Sequence, residues 1–150
     1  MLLIGLGKLK EAELFTRKAL ELNPNYAIAH TNLGMILKDL GKLKEAELST
    51  RKALELNPKL ADAYSNLGLI LRDLGKLKEA ELSILKAIQL KPDFANAYFL
   101  LSTMKTSLKN LSWQDKVFSE DILMNQTEKN KVDIYFARAN ILHNKKDFTR

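Results

Sequence analysis

Residues that could do chemistry are few in this chain, and they are spaced along its length with no sign of convergence. Its two histidines, His30 and His143, have no second histidine or cysteine at metal-ligand spacing. Cysteine is absent, which removes thiolate chemistry and a disulfide framework but leaves the redox compartment open. No GxxxxGK(S/T), GxSxG or HExxH occurs, so a phosphate loop, a nucleophile elbow and a zinc helix are not readable. His30 shares a column with Tyr64 and Tyr98, the setting of a packed imidazole and not of a base. What recurs is a carboxamide: Asn32 and Asn66 are 34 residues apart, and each can both donate and accept. Lys38 and Arg72 could take a carboxylate or phosphate, but Asp39 and Asp73 follow them directly and partly cancel the field, which favours solvated ion pairs. No catalytic residue, cofactor or metal is assigned, and the chain is expected not to be an enzyme.

The elements that carry these residues are repeated. GKLKEAEL stands at 7–14, 41–48 and 75–82, and residues 27–60 match 61–94 at 22 of 34 positions. From His30 and Tyr64, apolar or small residues follow at helical intervals: Leu33, Gly34, Leu37 and Leu40, then Leu67, Gly68, Leu71 and Leu74. Gly41 and Gly75 suit a left-handed residue ending that helix. A second helix follows through Leu43, Ala46, Ala53, Leu54 and Leu56, or Leu77, Ala80, Ala87, Ile88 and Leu90, and Pro58 or Pro92 stops it. Each pair is too short to stand alone and must bury its surplus apolar surface on a neighbour. Small residues (Gly34, Ala46, Ala53 and their copies) mark where backbones approach closely. Glu13 before Arg17 and Glu47 before Arg51 read as exposed i, i+4 ion pairs, each contributing about 0.3–0.5 kcal/mol.

The 34-residue period, "HTNLG" and "YSNLG", the alanines of "KEAEL" and "KALEL" and the closing proline resemble the tetratricopeptide repeat over residues 7–94. Thr16 and Thr50 depart from it, standing where the family usually carries a large side chain; Ile84 restores the bulk. The resemblance implies an all-α, right-handed superhelical solenoid of antiparallel helix pairs whose first helices line a concave side. There the stripe would include Thr31, Asn32, Met35 and Lys38, with Ser65, Asn66, Leu69 and Arg72 as its copy. Asn32 and Asn66 resemble the asparagine ladder with which such proteins hold an extended peptide. Two hydrated polar residues would look the same, and the duplication makes the second no independent support for the first. Leu100 and Ala137 take the corresponding places further on, so the groove is expected to be short, with micromolar affinity.

The expected organisation is one solenoid: a truncated repeat at 1–26, full repeats at 27–60 and 61–94, a degenerate one at 95–126, and the start of a further, truncated one at 127–150. "ANAYFLLSTM" reads as a first helix. Ser112 with Asp115 predicts a capped helix through Trp113, Val117, Phe118, Ile122 and Leu123, and another is expected over about 131–144. Apolar residues at the ends (Leu2, Leu3 and Leu6; Phe148) suggest a fragment or rearranged frame and self-association through uncapped ends. "YFARANILHNKKDF" also resembles, more loosely, the last repeat before the catalytic domain of bacterial tetratricopeptide sulfotransferases, which would make this chain their non-catalytic arm.

The charge of +6 comes from lysines interleaved with glutamates, the pattern of general solubility and not of a basic track. Nucleic acid is not expected as a partner: an RNA-binding helical repeat fits the 34-residue period poorly, and no aromatic or arginine-rich stripe is present. The N-terminal MLLIGLG has no basic flank and gives way at once to charged sequence, so neither a signal peptide nor a membrane span is readable. The expectation is a soluble, cytoplasmic scaffold that binds a peptide or protein.

Overall fold

The computed structural model describes residues 2–104 and 112–146, and all regular structure among them is helical. The chain runs through α1 (Leu2–Leu22), α2 (Ala27–Asp39), α3 (Leu43–Leu56), α4 (Ala61–Asp73), α5 (Leu77–Leu90), α6 (Ala95–Ser102), α7 (Ser112–Phe118), a 3-10 turn (Glu120–Leu123) and α8 (Glu128–Lys146). α2 pairs with α3 and α4 with α5. Each second helix then packs on the next first helix, α1 on α2, α3 on α4 and α5 on α6.

Both hairpins turn by the same device. Gly41 and Gly75 sit at φ +76°, where a Cβ would be strained. The Gly41 amide donates to the Lys38 carbonyl (2.9 Å) and the Lys42 amide to the Leu37 carbonyl (2.8 Å), and Gly75 and Lys76 repeat both bonds at Arg72 and Leu71. Carbonyls left open by the end of the first helix are thereby satisfied. Each second helix stops at Leu56 or Leu90 because the next residue precedes a proline and is driven out of the helical region: Asn57 lies at φ −144°, ψ 95° and Lys91 at φ −137°, ψ 87°.

The first copy of the octapeptide behaves differently. α1 passes through Gly5 and Gly7 without a turn. At Gly41 and Gly75 the reversal is rewarded by burial of one helix on the other. Among the described residues no first helix covers the Phe15–Ala19 stripe of α1 as α2 covers Ser49–Ala53 of α3, so continued helical hydrogen bonding prevails.

Inside each hairpin the small residues set the spacing. Ala46, Ala53, Ala80 and Ala87 are all fully buried. A Cβ on Gly34 would come within 2.1 Å of Thr50 Oγ1, and one on Gly68 within 2.4 Å of Ile84 Cγ1. Thr50 is itself buried, its hydroxyl donating to the Ala46 carbonyl at 2.9 Å, so a polar side chain is accommodated where bulk was expected.

After α6 the regular spacing ends. α8 packs along α6 through Ile134, Ala137 and Ile141, with Phe99 meeting Phe136 edge-on at 6.4 Å and Asn140 Nδ2 donating to Ser102 Oγ at 3.1 Å. The single helix expected from Ser112 to Leu123 is instead broken at Ser119, which is extended at φ −72°, ψ 146°. Arg138 of α8 accounts for the break: Nε donates to the Val117 carbonyl at 2.9 Å and Nη2 to the Ser119 carbonyl at 3.1 Å, taking acceptors a continuing helix would need. Lys116 and Asp121 close an ion pair across the same break. α8 begins three residues before the expected Lys131, and the repeat opening expected at "KKDF", with Phe148, lies outside the described residues from Asp147 on.

Candidate functional site

The first helices α2 and α4 lie side by side and bring the two carboxamides into one column. Asn32 is exposed and Asn66 half-buried; neither side chain hydrogen-bonds to another described residue, so both amides face solvent with donor and acceptor unspent. Met35 is half-buried beside Asn32, while the corresponding Leu69 packs against the C-terminal core. Lys38 Nζ lies 3.2 Å from Asp39 Oδ1 and Arg72 Nη2 lies 3.1 Å from Asp73 Oδ1, so each cation is held by its neighbour.

Thr31 and Ser65 do not belong on an open surface: they are 7% and 2% exposed, and the Thr31 hydroxyl donates to the Ala27 carbonyl at 3.1 Å. Their column faces the adjoining first helix, as Phe99 shows by meeting Phe136 of α8. Further along, Leu100 and Ala137 are buried, which ends the carboxamide column after two members.

His30 does the job of a packed ring. Its Nε2 is 2.8 Å from the Pro24 carbonyl, and Tyr98 repeats the contact with its hydroxyl donating to the Pro92 carbonyl at 2.9 Å. Burial, helped by Asp93 and Asp121, pushes the Tyr98 phenol up to about 12. The Tyr98 phenol therefore stays protonated at neutral pH.

The charged residues of the second helices need a correction. Glu13 and Arg17 are not an isolated surface pair: Lys42 Nζ from the next repeat reaches Glu13 Oε2 at 2.9 Å, and Arg17 Nη2 reaches across to Glu45 Oε2 at 3.0 Å. One repeat on, Glu47 accepts Arg51 and Lys76, and Arg51 reaches Glu79 at 2.9 Å. The glutamate side chains are only 12% and 13% exposed. Hydrogen bonds from Lys42, then Arg17, hold the Glu13 carboxyl below the usual range. At Glu47 burial is the largest influence and pushes upward, but Lys76 and Arg51 together outweigh it and the carboxyl is lowered. The i, i+4 spacing shows only half of this bridge; its other half, a lysine directly after the turn glycine, was present in every octapeptide and becomes legible once the repeats are stacked.

A cleft of about 540 Å³ opens among α1, α2 and α3, lined among others by Arg17, Leu20, His30, Leu37, Leu48 and Lys52. It takes in none of the groove residues. Among the described residues no cluster of three metal-ligating side chains is present, and no helix is long and apolar enough to cross a membrane.

Tandem helix pairs closed by a left-handed glycine, with alanines buried between them and first helices in register, define a helical-repeat solenoid. Profiles for the tetratricopeptide repeat match residues 27–60 and 61–94, and a second profile of that name matches 1–26; the chain belongs to the tetratricopeptide repeat family, whose members mediate protein–protein interaction. Against curated proteins the sequence finds no match. Among solved structures it is similar to the first TPR domain of Spaghetti bound to an HSP90 peptide, with 28% identity over 67% of this chain and 79% of that one at a TM-score of 0.63. A Thermobaculum terrenum O-GlcNAc transferase gives 26% identity and the same TM-score over 65% of this chain, which spans only 19% of the transferase. MamA shares the fold over 95% of this chain and 74% of its own, at 22% identity and a TM-score of 0.63.

Proposed function

We propose that this chain is a non-catalytic, cytoplasmic scaffold that holds an extended peptide or partner segment against α2 and α4. The observation that carries this reading is the pair of uncommitted carboxamides, Asn32 and Asn66, in one column on neighbouring first helices. Helices packed about 8–10 Å apart present such groups roughly every three residues of a strand, so each amide meets a peptide backbone unit whatever the side chains. Met35 and the exposed edge of Leu69 supply apolar contact, and Lys38 and Arg72 can exchange Asp39 and Asp73 for a carboxylate on the ligand. Thr31 and Ser65 are buried beside the column and stay out of reach of the peptide. The peptide held by the similar domain of Spaghetti is in keeping with this reading. The sulfotransferase-arm reading gains no support from the described residues and ranks below it.

A peptide array probed with the wild-type chain, Asn32→Ala, Asn66→Ala and the outer-surface control Lys44→Ala tests the proposal. Both asparagine variants are expected to lose about tenfold in affinity, as a lost backbone hydrogen bond of about 1–1.5 kcal/mol implies, with the control unchanged. Capture of the same peptides equally well by all four proteins overturns it.

A further inference from the structure

We propose that the outer face of the second helices is a docking surface for an acidic amphipathic helix of another protein, whose apolar side chains enter the cleft among α1, α2 and α3 while its carboxylates meet the lysines beside it. This surface uses neither Asn32 nor Asn66 and stands or falls apart from the peptide reading.

Three rows of side chains cross this face. The last leucine of each octapeptide, Leu14, Leu48 or Leu82, is 52%, 70% or 57% exposed and so contributes little to the core. A lysine stands four residues before each leucine and another four residues after it: Lys10 and Lys18, Lys44 and Lys52, Lys78 and Lys86, all exposed. Residues four apart share a helix face, so every second helix carries the order lysine, leucine, lysine. The bridges from Arg17 to Glu45 and from Arg51 to Glu79 join neighbouring second helices and hold the rows beside one another.

The interleaved sequence hides the charge of this face. On α3 and α5 each exposed glutamate is engaged, Glu45 by Arg17, Glu79 by Arg51 and Glu55 by Lys52. Lys44 and Lys78, like Lys10 and Lys18 on α1, have no ion-pair or hydrogen-bond partner among the described residues. Positive charge is left over, and only α1 keeps unpaired carboxylates, Glu11 and Glu21. On the groove side, by contrast, Lys38 and Arg72 are each held by the adjacent aspartate.

The cleft lies between the first two of these ridges, with Leu20, Leu33 and Leu37 among its apolar lining and Leu48 and Lys52 beside them. One repeat on, the corresponding positions hold the same residues except for Tyr64 in place of His30. A helix laid along the cleft would turn its apolar stripe inward and its flanking carboxylates toward the free lysines, the arrangement by which amphipathic helices fill grooves. An anionic bilayer matches this face less well, because Glu45 and Glu79 stand among the lysines and Leu33 and Leu37 are buried at the base of the cleft.

Fluorescence anisotropy with a labelled model helix, leucines on one face and glutamates flanking them, tests this. Companion probes carry lysine in place of glutamate or alanine in place of leucine, and phosphatidylserine vesicles compete in a separate arm. The wild type is expected to bind the leucine–glutamate helix in preference to both companions and to the vesicles, and to release it as salt is raised. The double variants Leu14→Gln with Leu48→Gln and Lys18→Glu with Lys44→Glu, all at exposed positions and checked for folding by circular dichroism, should each bind about tenfold more weakly. Asn66→Ala should bind as the wild type does. No binding by the wild type, equal binding of a companion helix, double variants without loss, preference for the vesicles, or loss in Asn66→Ala overturns the proposal.

Discussion

Gly34 faces Thr50 across the α2–α3 hairpin with no room for a methyl group: a Cβ there would stand 2.1 Å from Thr50 Oγ1 and 3.3 Å from the Ala46 carbonyl oxygen. The close approach of the two helices depends on this contact, and that of α4 and α5 on its copy between Gly68 and Ile84.

Gly34→Ala should destabilise the chain by about 1–2 kcal/mol, because overpacking outweighs the helix propensity gained by alanine. Adding Thr50→Ala removes the obstructing hydroxyl and should recover most of that loss. Urea titration of the two single variants and the double variant reads out the coupling; strictly additive effects would mean that the contact does not set the spacing.

The same glycine in the same octapeptide should respond with opposite signs. Gly41→Ala forces a side chain into φ +76° and should cost about 1–2 kcal/mol. Gly7→Ala lies within α1 with nothing within 4 Å of a new Cβ, and should stabilise by about 0.5–1 kcal/mol. Equal losses from both substitutions in thermal melts would show that Gly7 also adopts the turn.

Glu47→Gln should lower stability by about 1 kcal/mol at neutral pH, the upper end for ion pairs whose cations remain in water. Because the carboxyl is depressed in the folded chain, its contribution is complete above the ordinary glutamate range near about pH 4.3 and is lost as the pH falls through the depressed value. The gap between wild type and variant should therefore close on acidification and narrow in high salt, as read from denaturation midpoints. A gap independent of pH would point to packing and not charge.

Arg138→Ala should free the Val117 and Ser119 carbonyls and loosen α7 from α8, at about 1.5–3 kcal/mol for bonds donated by a charged group. Trp113, the sole tryptophan and 6% exposed, reports this directly: its emission should shift to longer wavelength in the variant before the regular repeats unfold. Arg138→Lys should rescue only in part, since an ammonium cannot span both carbonyls as the guanidinium does.

The repeated part of the fold was legible because it is local. Gly41, Pro58 and the apolar columns of α2 and α3 act within a turn or two of themselves, and the 34-residue period fixes what each helix meets, so periodicity and punctuation determined the helices, the hairpins and the buried alanines. The 34-residue spacing that puts Asn32 and Asn66 at matching positions of α2 and α4 was legible for the same reason. Tertiary structure alone decided three other matters. The repeat pattern puts Thr31 and Ser65 on an open surface, whereas they are buried, because which side of a first helix faces its neighbour depends on how repeats stack. Ser119 breaks a helix whose own sequence is helical, because Arg138, nineteen residues away, offers its carbonyls a better donor. Gly7 continues a helix where Gly41 turns, although the surrounding octapeptide is the same. A left-handed turn is worth its conformational strain only when the helix before it has a partner to fold back on, and that partner is a property of the packed molecule and not of the eight residues.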